Sequence, residues 1–203
     1  MTIGIIIITS LITIISFSRP VLISKMQFNP YRVYHRKEFY RLFSHAFLHA
    51  DCMHLIINMI VLFSFGTIVE QYFKQLAIAG VLKNPNISFL LLYVGGILFA
   101  TTTTLIKHKE NTWYNSVGAS GAVSAVVFTS IFFAPLNKLF LYFIPLPGIV
   151  AGILYLVYSQ YMSKKSKDNI NHDAHLLGAI FGFVFPILID PGLIRLFFQQ
   201  LGL

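Results

Sequence analysis

Charged residues are scarce in this chain: they make up 11% of its 203 residues, whereas 56% are hydrophobic. A soluble domain needs roughly a quarter of its residues charged to keep its surface hydrated. No stretch of the sequence is polar enough to form such a domain. The composition therefore excludes a soluble globular protein, and the mean hydropathy of +0.73 predicts that most of the surface faces lipid.

Cysteine is almost absent, since Cys52 is the single one, and this excludes an intramolecular disulfide. Its position in an apolar run predicts a small packing residue rather than a nucleophile. Acidic residues are few as well, so the formal net charge is +8. The basic residues lie in short loops, without a basic helix or zinc spacing, so we expect contact with anionic lipid headgroups and no nucleic-acid binding.

Stretches without Asp, Glu, Lys or Arg predict membrane spans, since about 20 apolar residues cross the hydrocarbon core. Backbone groups in lipid must be satisfied internally, which favours helices. The first stretch has no basic n-region and no cleavage site, and therefore predicts a retained span rather than a signal peptide. The six predicted spans are 1–18, 52–72, 87–106, 120–134, 139–162 and 174–189.

Short loops join these spans, so residues 1–203 are expected to form a single all-α bundle of six transmembrane helices. The loop at about 19–44 is rich in Arg, Lys and Tyr and is predicted to lie at the membrane interface. An even number of spans places both termini on one side. Because most basic residues lie in loops of the opposite side, the positive-inside rule predicts the termini outside.

Polar side chains near span ends are candidate functional residues, because polar groups in lipid cost free energy. The second span is entered by a run that contains His45, His49, His54 and Asn58. His54 and Asn58 are four residues apart, so on a helix they share one face. Both donate hydrogen bonds while uncharged, as an oxyanion site in lipid requires.

Ser120 begins the fourth span, with Gly118 and Gly121 on either side of it. These glycines allow a substrate backbone or a neighbouring helix to approach the hydroxyl closely. The start of a helix also offers free N–H groups, including that of Ser120, to a developing oxyanion. The pattern predicts a nucleophile, although G-x-S-G alone is a common tetrapeptide.

The sixth span carries a small-residue stripe, which consists of Ala174, Gly178 and Gly182. Such a stripe predicts close packing of two membrane helices. If the partner is the fourth span, His175 can reach Ser120. A neutral histidine could then accept the proton of the hydroxyl, which is a poor nucleophile without a base.

The sequence lacks the residues that other classes of hydrolase need. A zinc protease of the H-E-x-x-H type needs a glutamate beside its first histidine, and the glutamates stand only at Glu38, Glu70 and Glu110. An aspartyl protease needs two aspartates inside the membrane, whereas all four stand at span ends or in loops. The G-x-S-x-G elbow fails at Ala122. No metal and no cofactor are expected.

Taken together, the motifs resemble the rhomboid family of intramembrane serine proteases, over nearly the whole chain. The family's H-x-x-x-H-x-x-x-x-H-x-x-x-N run, G-x-S-G and A-H-x-x-G appear here in that order. The resemblance implies that Ser120 is the nucleophile and His175 its base. It also implies His54, Asn58 and the Ser120 amide as oxyanion donors, with motif support from Gly118, Gly121 and Gly178.

The resemblance also bears on residues outside the dyad. It implies that Glu70 is structural and that Arg41 holds the first loop, next to Tyr40 where the family usually has Trp. Ser124 stands where some members have a Tyr that stacks on the catalytic histidine, a place that Tyr or Phe from another span could fill. Asp173 lies across the helix axis from His175, so we expect a helix cap rather than a third triad member.

The resemblance implies an intramembrane serine endopeptidase that hydrolyses peptide bonds in or near transmembrane segments through an acyl-enzyme. Its substrates would be single-span or other membrane proteins. The alternative is a non-catalytic rhomboid-like binder of membrane helices, but such relatives lose the serine or the histidine. The family orientation places the termini in the cytoplasm and the site toward the outside. We expect it here despite the loop charges, in a bacterial-type plasma membrane.

Overall fold

The computed structural model describes residues 1–141, 144–165 and 171–203, and most of these are helical. A 3-10 turn at His45–Phe47 precedes the second long helix. In chain order the helices and strands are α1 Thr2–Phe17, α2 Pro20–Met26, α3 Pro30–Arg36, α4 Arg41–Ser44, α5 Cys52–Ile78, α6 Pro85–His108, α7 Ser120–Phe133, β1 Lys138–Leu141, β2 Ile144–Pro147, α8 Gly148–Lys165, α9 His172–Ile189 and α10 Leu193–Gln200.

Three helices of the described chain, α5, α6 and α9, are long and apolar enough to cross a membrane. The helices α1 and α7 are apolar but shorter. These helices identify a membrane protein that is mostly helical. Length and composition do not establish the predicted number of six spans.

The all-α expectation and the predicted span 139–162 are wrong in one segment, because β1 and β2 form an antiparallel pair there. Pro145 and Pro147 lack the N–H that a helix interior needs. The Gly148 amide donates to the carbonyl of Asn137 at 2.8 Å, and α8 begins only at that glycine. A second difference is α10, for which the sequence analysis predicted no element.

The helix α7 lies at the centre of the bundle, packed against α5, α6, α8 and α9. Every residue of α7 except Ser120 and Val127 is buried. A helix that is apolar on all sides is buried within a protein. Its 14 residues are therefore surrounded by protein, and Ser120 stands at the end that opens toward the polar loops.

The loop at 19–44 contains three short helices, and Arg41 holds it together. Arg41 is 1% exposed, and its guanidinium donates to the carbonyls of Ser24 at 2.9 Å and Gln27 at 2.8 Å. It also pairs with Glu38. Burial raises the pKa of that carboxyl, but the hydrogen bond and charge of Arg41 outweigh burial and lower it. The structure thus shows the role that the resemblance implied for Arg41.

Glu70 joins α1 to α5, as a structural glutamate would. Its carboxylate accepts hydrogen bonds from the backbone amide of Thr2 at 2.5 Å and from its hydroxyl at 2.8 Å. One turn earlier, Gly66 leaves room for Thr2: a Cβ there would lie 2.7 Å from the threonine hydroxyl. The hydrogen bonds between Glu70 and Thr2 fix the start of α1 against α5, the helix that carries His54 and Asn58.

Candidate active site

Ser120 is positioned by the segment before it, which is tied to the 19–44 loop. The backbones of Phe28 and Ser116 exchange two hydrogen bonds, at 2.9 and 3.0 Å. The Gly118 amide donates to the carbonyl of His45 at 3.1 Å. Gly118 has φ +126°, a conformation that side chains disfavour. The loop therefore needs glycine at this position to turn into α7.

Gly118 also lies beside two of the predicted site residues. A Cβ on Gly118 would lie 2.9 Å from Cε1 of His54 and 3.9 Å from Oγ of Ser120. The imidazole and the hydroxyl therefore both lie close to this glycine. A side chain at this position would collide with the His54 ring.

The small-residue stripe of α9 packs on the backbone of α7. A Cβ on Gly178 would overlap the carbonyl oxygen of Gly121, and one on Gly182 would overlap that of Ala125. Thr129 donates to the carbonyl of Gly182 at 2.7 Å. The partner of the stripe is therefore α7, the helix of the fourth predicted span. The sequence alone left this partner open.

This packing sets the relation between Ser120 and His175. Ser120 directly precedes Gly121 on α7, and His175 lies one turn before Gly178 on α9. Because Gly178 contacts Gly121, the two side chains stand at the same end of two helices in backbone contact. Both residues are partly buried.

Tyr155 of α8 stacks on His175, and no sequence motif indicated it. The two ring centroids are 6.5 Å apart, with an interplanar angle of 15°. The tyrosine hydroxyl is 2.9 Å from the hydroxyl of Ser124. Ser124 is the residue at which the resemblance implied a stacking tyrosine in some family members. Here the aromatic ring comes from α8, and the serine holds it by a hydrogen bond.

The two predicted oxyanion donors of α5 differ in their surroundings. The His54 ring faces Gly118, as described above, and its backbone amide is capped by Asp51 at 2.8 Å. Asn58 is 6% exposed, and its amide donates to the carbonyl of His54 at 2.8 Å. That hydrogen bond uses one of the two amide protons of Asn58, which leaves one for a substrate.

A cavity of about 30 Å³ lies beside Ser120. This volume is enough for about one water molecule. The polar residues in its lining are Ser120, Ser116, Thr101, Asn171 and His45. In the part of the chain that the structure describes, Nε2 of His45 has no protein partner. The cavity therefore offers hydrogen bonds to a water molecule close to Ser120.

Two histidines of the loop before α5 are held neutral. Burial lowers the pKa of His45 to about 4. Burial also lowers the pKa of His49 to about 4, with His54 adding to the shift and Asp51 opposing it. Both rings are therefore uncharged at neutral pH.

These two histidines predict an acid-sensitive fold. Their folded pKa near 4 lies below the ordinary value of 6.5, so the unfolded state binds protons first. Stability is expected to be complete above pH 6.5 and to fall as the pH drops toward 4. Thermal unfolding in detergent at pH 7 and pH 4.5 measures this. His49→Gln should reduce the difference, whereas the same change at the exposed His35 should not, and equal differences in both variants would contradict the assignment.

Two smaller expectations about the site helices are wrong. Asn171, not Asp173, caps α9, since its side chain accepts from the amide of Ala174 at 3.1 Å. Asp173 instead pairs with Lys107 of α6 at 2.6 Å, because an acidic side chain in the first turn can reach the neighbouring helix. Cys52 is exposed rather than packed, because it is the first residue of α5.

The His, Cys, Asp and Glu side chains are also the ones that could bind a metal ion. Within the described ranges, no group of three or more His, Cys, Asp or Glu lies close enough to hold a metal ion. The chemistry available at the site is that of a hydroxyl, an imidazole and hydrogen-bond donors.

Comparison with known proteins identifies the family of the chain. A family model described as Rhomboid domain matches residues 36–191. RHOMBOID-like protein 12, mitochondrial, of Arabidopsis thaliana is 32% identical over 155 residues. That match covers 68% of this chain and 43% of the relative, so the chain spans less than half of that protein's length. The matched range includes Ser120, His175, His54 and Asn58, and the chain belongs to the rhomboid family.

Proposed function

We propose that this chain is an intramembrane serine endopeptidase. The observation that carries the proposal is the backbone contact of Gly178 with Gly121, which brings the turns of His175 and Ser120 together. An aromatic ring stacked on the histidine and a second imidazole facing Gly118 support it. The six-span bundle that the sequence predicted belongs to this proposal, as do transmembrane proteins as substrates.

In this proposal a transmembrane substrate unwinds and presents a peptide bond to Ser120. His175 accepts the hydroxyl proton as Oγ attacks the carbonyl carbon, and then gives it to the leaving amine. The amide of Ser120, His54 and Asn58 donate hydrogen bonds to the oxyanion. A water molecule then hydrolyses the acyl-enzyme, and the cavity beside Ser120 lies where such a water is needed.

Incubation of the detergent-purified chain with a single-span membrane protein tests the proposal. A fluorophosphonate that labels activated serines is applied in parallel. We expect cleavage together with labelling of Ser120. Labelling without cleavage would mean an active serine and a wrong substrate. If neither occurs, the endopeptidase proposal fails and the non-catalytic binder of membrane helices takes its place.

Asn58→Ala is expected to lower the cleavage rate about a hundred- to a thousandfold, as loss of one oxyanion donor does. The loss should appear in kcat more than in KM, because the bond forms in the transition state. Asn86→Ala is the control, since Asn86 lies at the start of α6 and away from Ser120. An unchanged kcat in Asn58→Ala would remove Asn58 from the oxyanion site.

Tyr155 is expected to position His175 rather than to react. Tyr155→Phe keeps the ring and loses the bond to Ser124, so it should lower kcat only severalfold. Tyr155→Ala also removes the stacking surface and should lower kcat further. Ser124→Ala should match Tyr155→Phe, because both remove the same hydrogen bond. Cleavage kinetics of the three variants measure kcat, and a Tyr155→Ala kcat equal to that of the parent would contradict the role.

The membrane and its sidedness are also proposals. We propose the family orientation, with the site open to the side opposite the termini and facing outside. The mitochondrial relative gives no support to the bacterial plasma membrane that the sequence analysis expected. Cys52 is exposed at the site end of α5, so a membrane-impermeant maleimide added from one side tests the orientation. Labelling of Cys52 only from the inside would mean that the site faces inside, contrary to this proposal.

A further inference from the structure

A groove runs between α8 and α9 on the outer surface of the bundle, and the proposed reaction does not use it. It is a shallow, open groove with about 550 Å³ of accessible space. This volume lies within the roughly 300–1,000 Å³ that ligand sites have. The lining residues repeat at helical spacing along one face of α8 and continue on α9: Leu156, Val157, Gln160, Tyr161, Lys164, Lys165, Leu176 and Ile180.

The groove changes from apolar to basic along its length. Its inner part is walled by Leu156, Val157 and Ile180, and its outer end by Lys164 and Lys165 in the last turn of α8. Nine residues of helix separate Leu156 from Lys165, which is about 13 Å. An apolar slot therefore leads to two positive charges at the end of a membrane helix.

The two lysines are available to an anion. Lys165 donates to the hydroxyl of Tyr161 at 3.2 Å and stands 4.8 Å from the centre of its ring, which orients it at the groove. In the described ranges 1–141, 144–165 and 171–203, no ion pair joins either lysine to a carboxylate, whereas Lys107 has Asp173. The described lining also contains no acidic residue.

The charge of the groove selects the kind of occupant. Its apolar residues suit a hydrocarbon chain, and the two lysines at its outer end suit a negatively charged headgroup. An anionic lipid carries both features in one molecule.

We propose that this groove binds an anionic phospholipid. One acyl chain lies along Leu156, Val157 and Ile180, and the phosphate lies between Lys164 and Lys165. Basic pockets between membrane helices bind anionic headgroups in this way. The lipid bridges α8 and α9, the two helices that carry Tyr155 and His175, but its binding does not depend on catalysis.

Native mass spectrometry of the full chain in detergent tests the proposal. The chain is exposed to equal amounts of phosphatidylglycerol and phosphatidylcholine, and the retained lipid is counted. We expect phosphatidylglycerol to be retained preferentially. The double variant Lys164→Gln/Lys165→Gln should lower its retention at least about tenfold, because each interfacial lysine contributes to headgroup affinity. Val157→Trp fills the slot and should lower retention while both charges remain.

The matched control is Arg19→Gln/Lys25→Gln, which removes the same charge at the same end of the bundle but outside the groove. It should retain phosphatidylglycerol as the parent does. Equal retention of the two lipids would overturn the proposal, and so would equal loss in the control and the lysine variant. A Val157→Trp variant that keeps the lipid but changes the monomer–dimer ratio would assign the groove to a second copy and also overturn it.

Discussion

Ser120→Ala is expected to bring cleavage of a membrane substrate below detection while the fold persists. Loss of the nucleophile costs a soluble serine protease roughly a millionfold in kcat. Ser120 is the first residue of α7, and its neighbour Gly121 makes the contact with α9, so the substitution leaves the helix packing intact. His175→Ala should have a similar effect, because the hydroxyl then lacks its base.

The two variants also predict how their effects combine. Residues that act as one unit lose activity together, so the double variant should be no slower than either single one. Ser130→Ala is the control, since Ser130 is a buried serine of the same helix, nearly three turns from Ser120. It should cleave at close to the parental rate. Cleavage that persists in Ser120→Ala, with the thermal transition unchanged, would show that another residue is the nucleophile.

Gly178→Ala is expected to reduce both stability and activity, although it adds a single methyl group. The new Cβ would overlap the carbonyl oxygen of Gly121, and the obstacle is backbone, which cannot rotate away. Overpacking of this kind typically costs about 1–3 kcal/mol. To relieve it, α9 must move away from α7, and His175 moves with it. The measurements are the thermal transition in detergent and the fluorophosphonate labelling rate.

Gly4→Ala is the matched control for this substitution, because nothing lies within 4 Å of a Cβ at Gly4. It should leave both quantities unchanged, or raise stability slightly through its higher helix propensity. If Gly178→Ala keeps the parental transition temperature and labelling rate, the backbone contact does not position the dyad. The proposed function would then lose the observation that carries it.

The sequence predicts the long helices well, because runs without charge are hard to explain in any other way. The predicted spans 52–72 and 87–106 are observed as Cys52–Ile78 and Pro85–His108, somewhat longer at their ends. The motifs also predict that the sixth span packs closely on another helix, since Gly178 and Gly182 form a small-residue stripe. The backbone contact itself required the structure, because small residues do not name their partner.

Hydrophobicity alone is a poor guide where local chemistry competes with it. The segment that begins at Lys138 is apolar enough to join a span, but Pro145 and Pro147 disfavour a helix there, and β1 pairs with β2 instead. The sequence predicts that a Tyr or Phe from another span can stack on His175, but it does not say which one. Tyr155 is one of several aromatic residues in its span, and only tertiary packing decides which of them meets the histidine.

The brevity of α7 has a consequence for where a substrate is cut. Its 14 residues rise about 21 Å, whereas the hydrocarbon layer is about 30 Å thick. In the proposed protease, Lys138 shortly after the far end of α7 is expected to lie near the opposite headgroups. The Ser120 hydroxyl would then lie about 9 Å below the nearer headgroups, which is about six residues of helix. The length of this one enclosed helix would set the depth in the bilayer at which a substrate is cut.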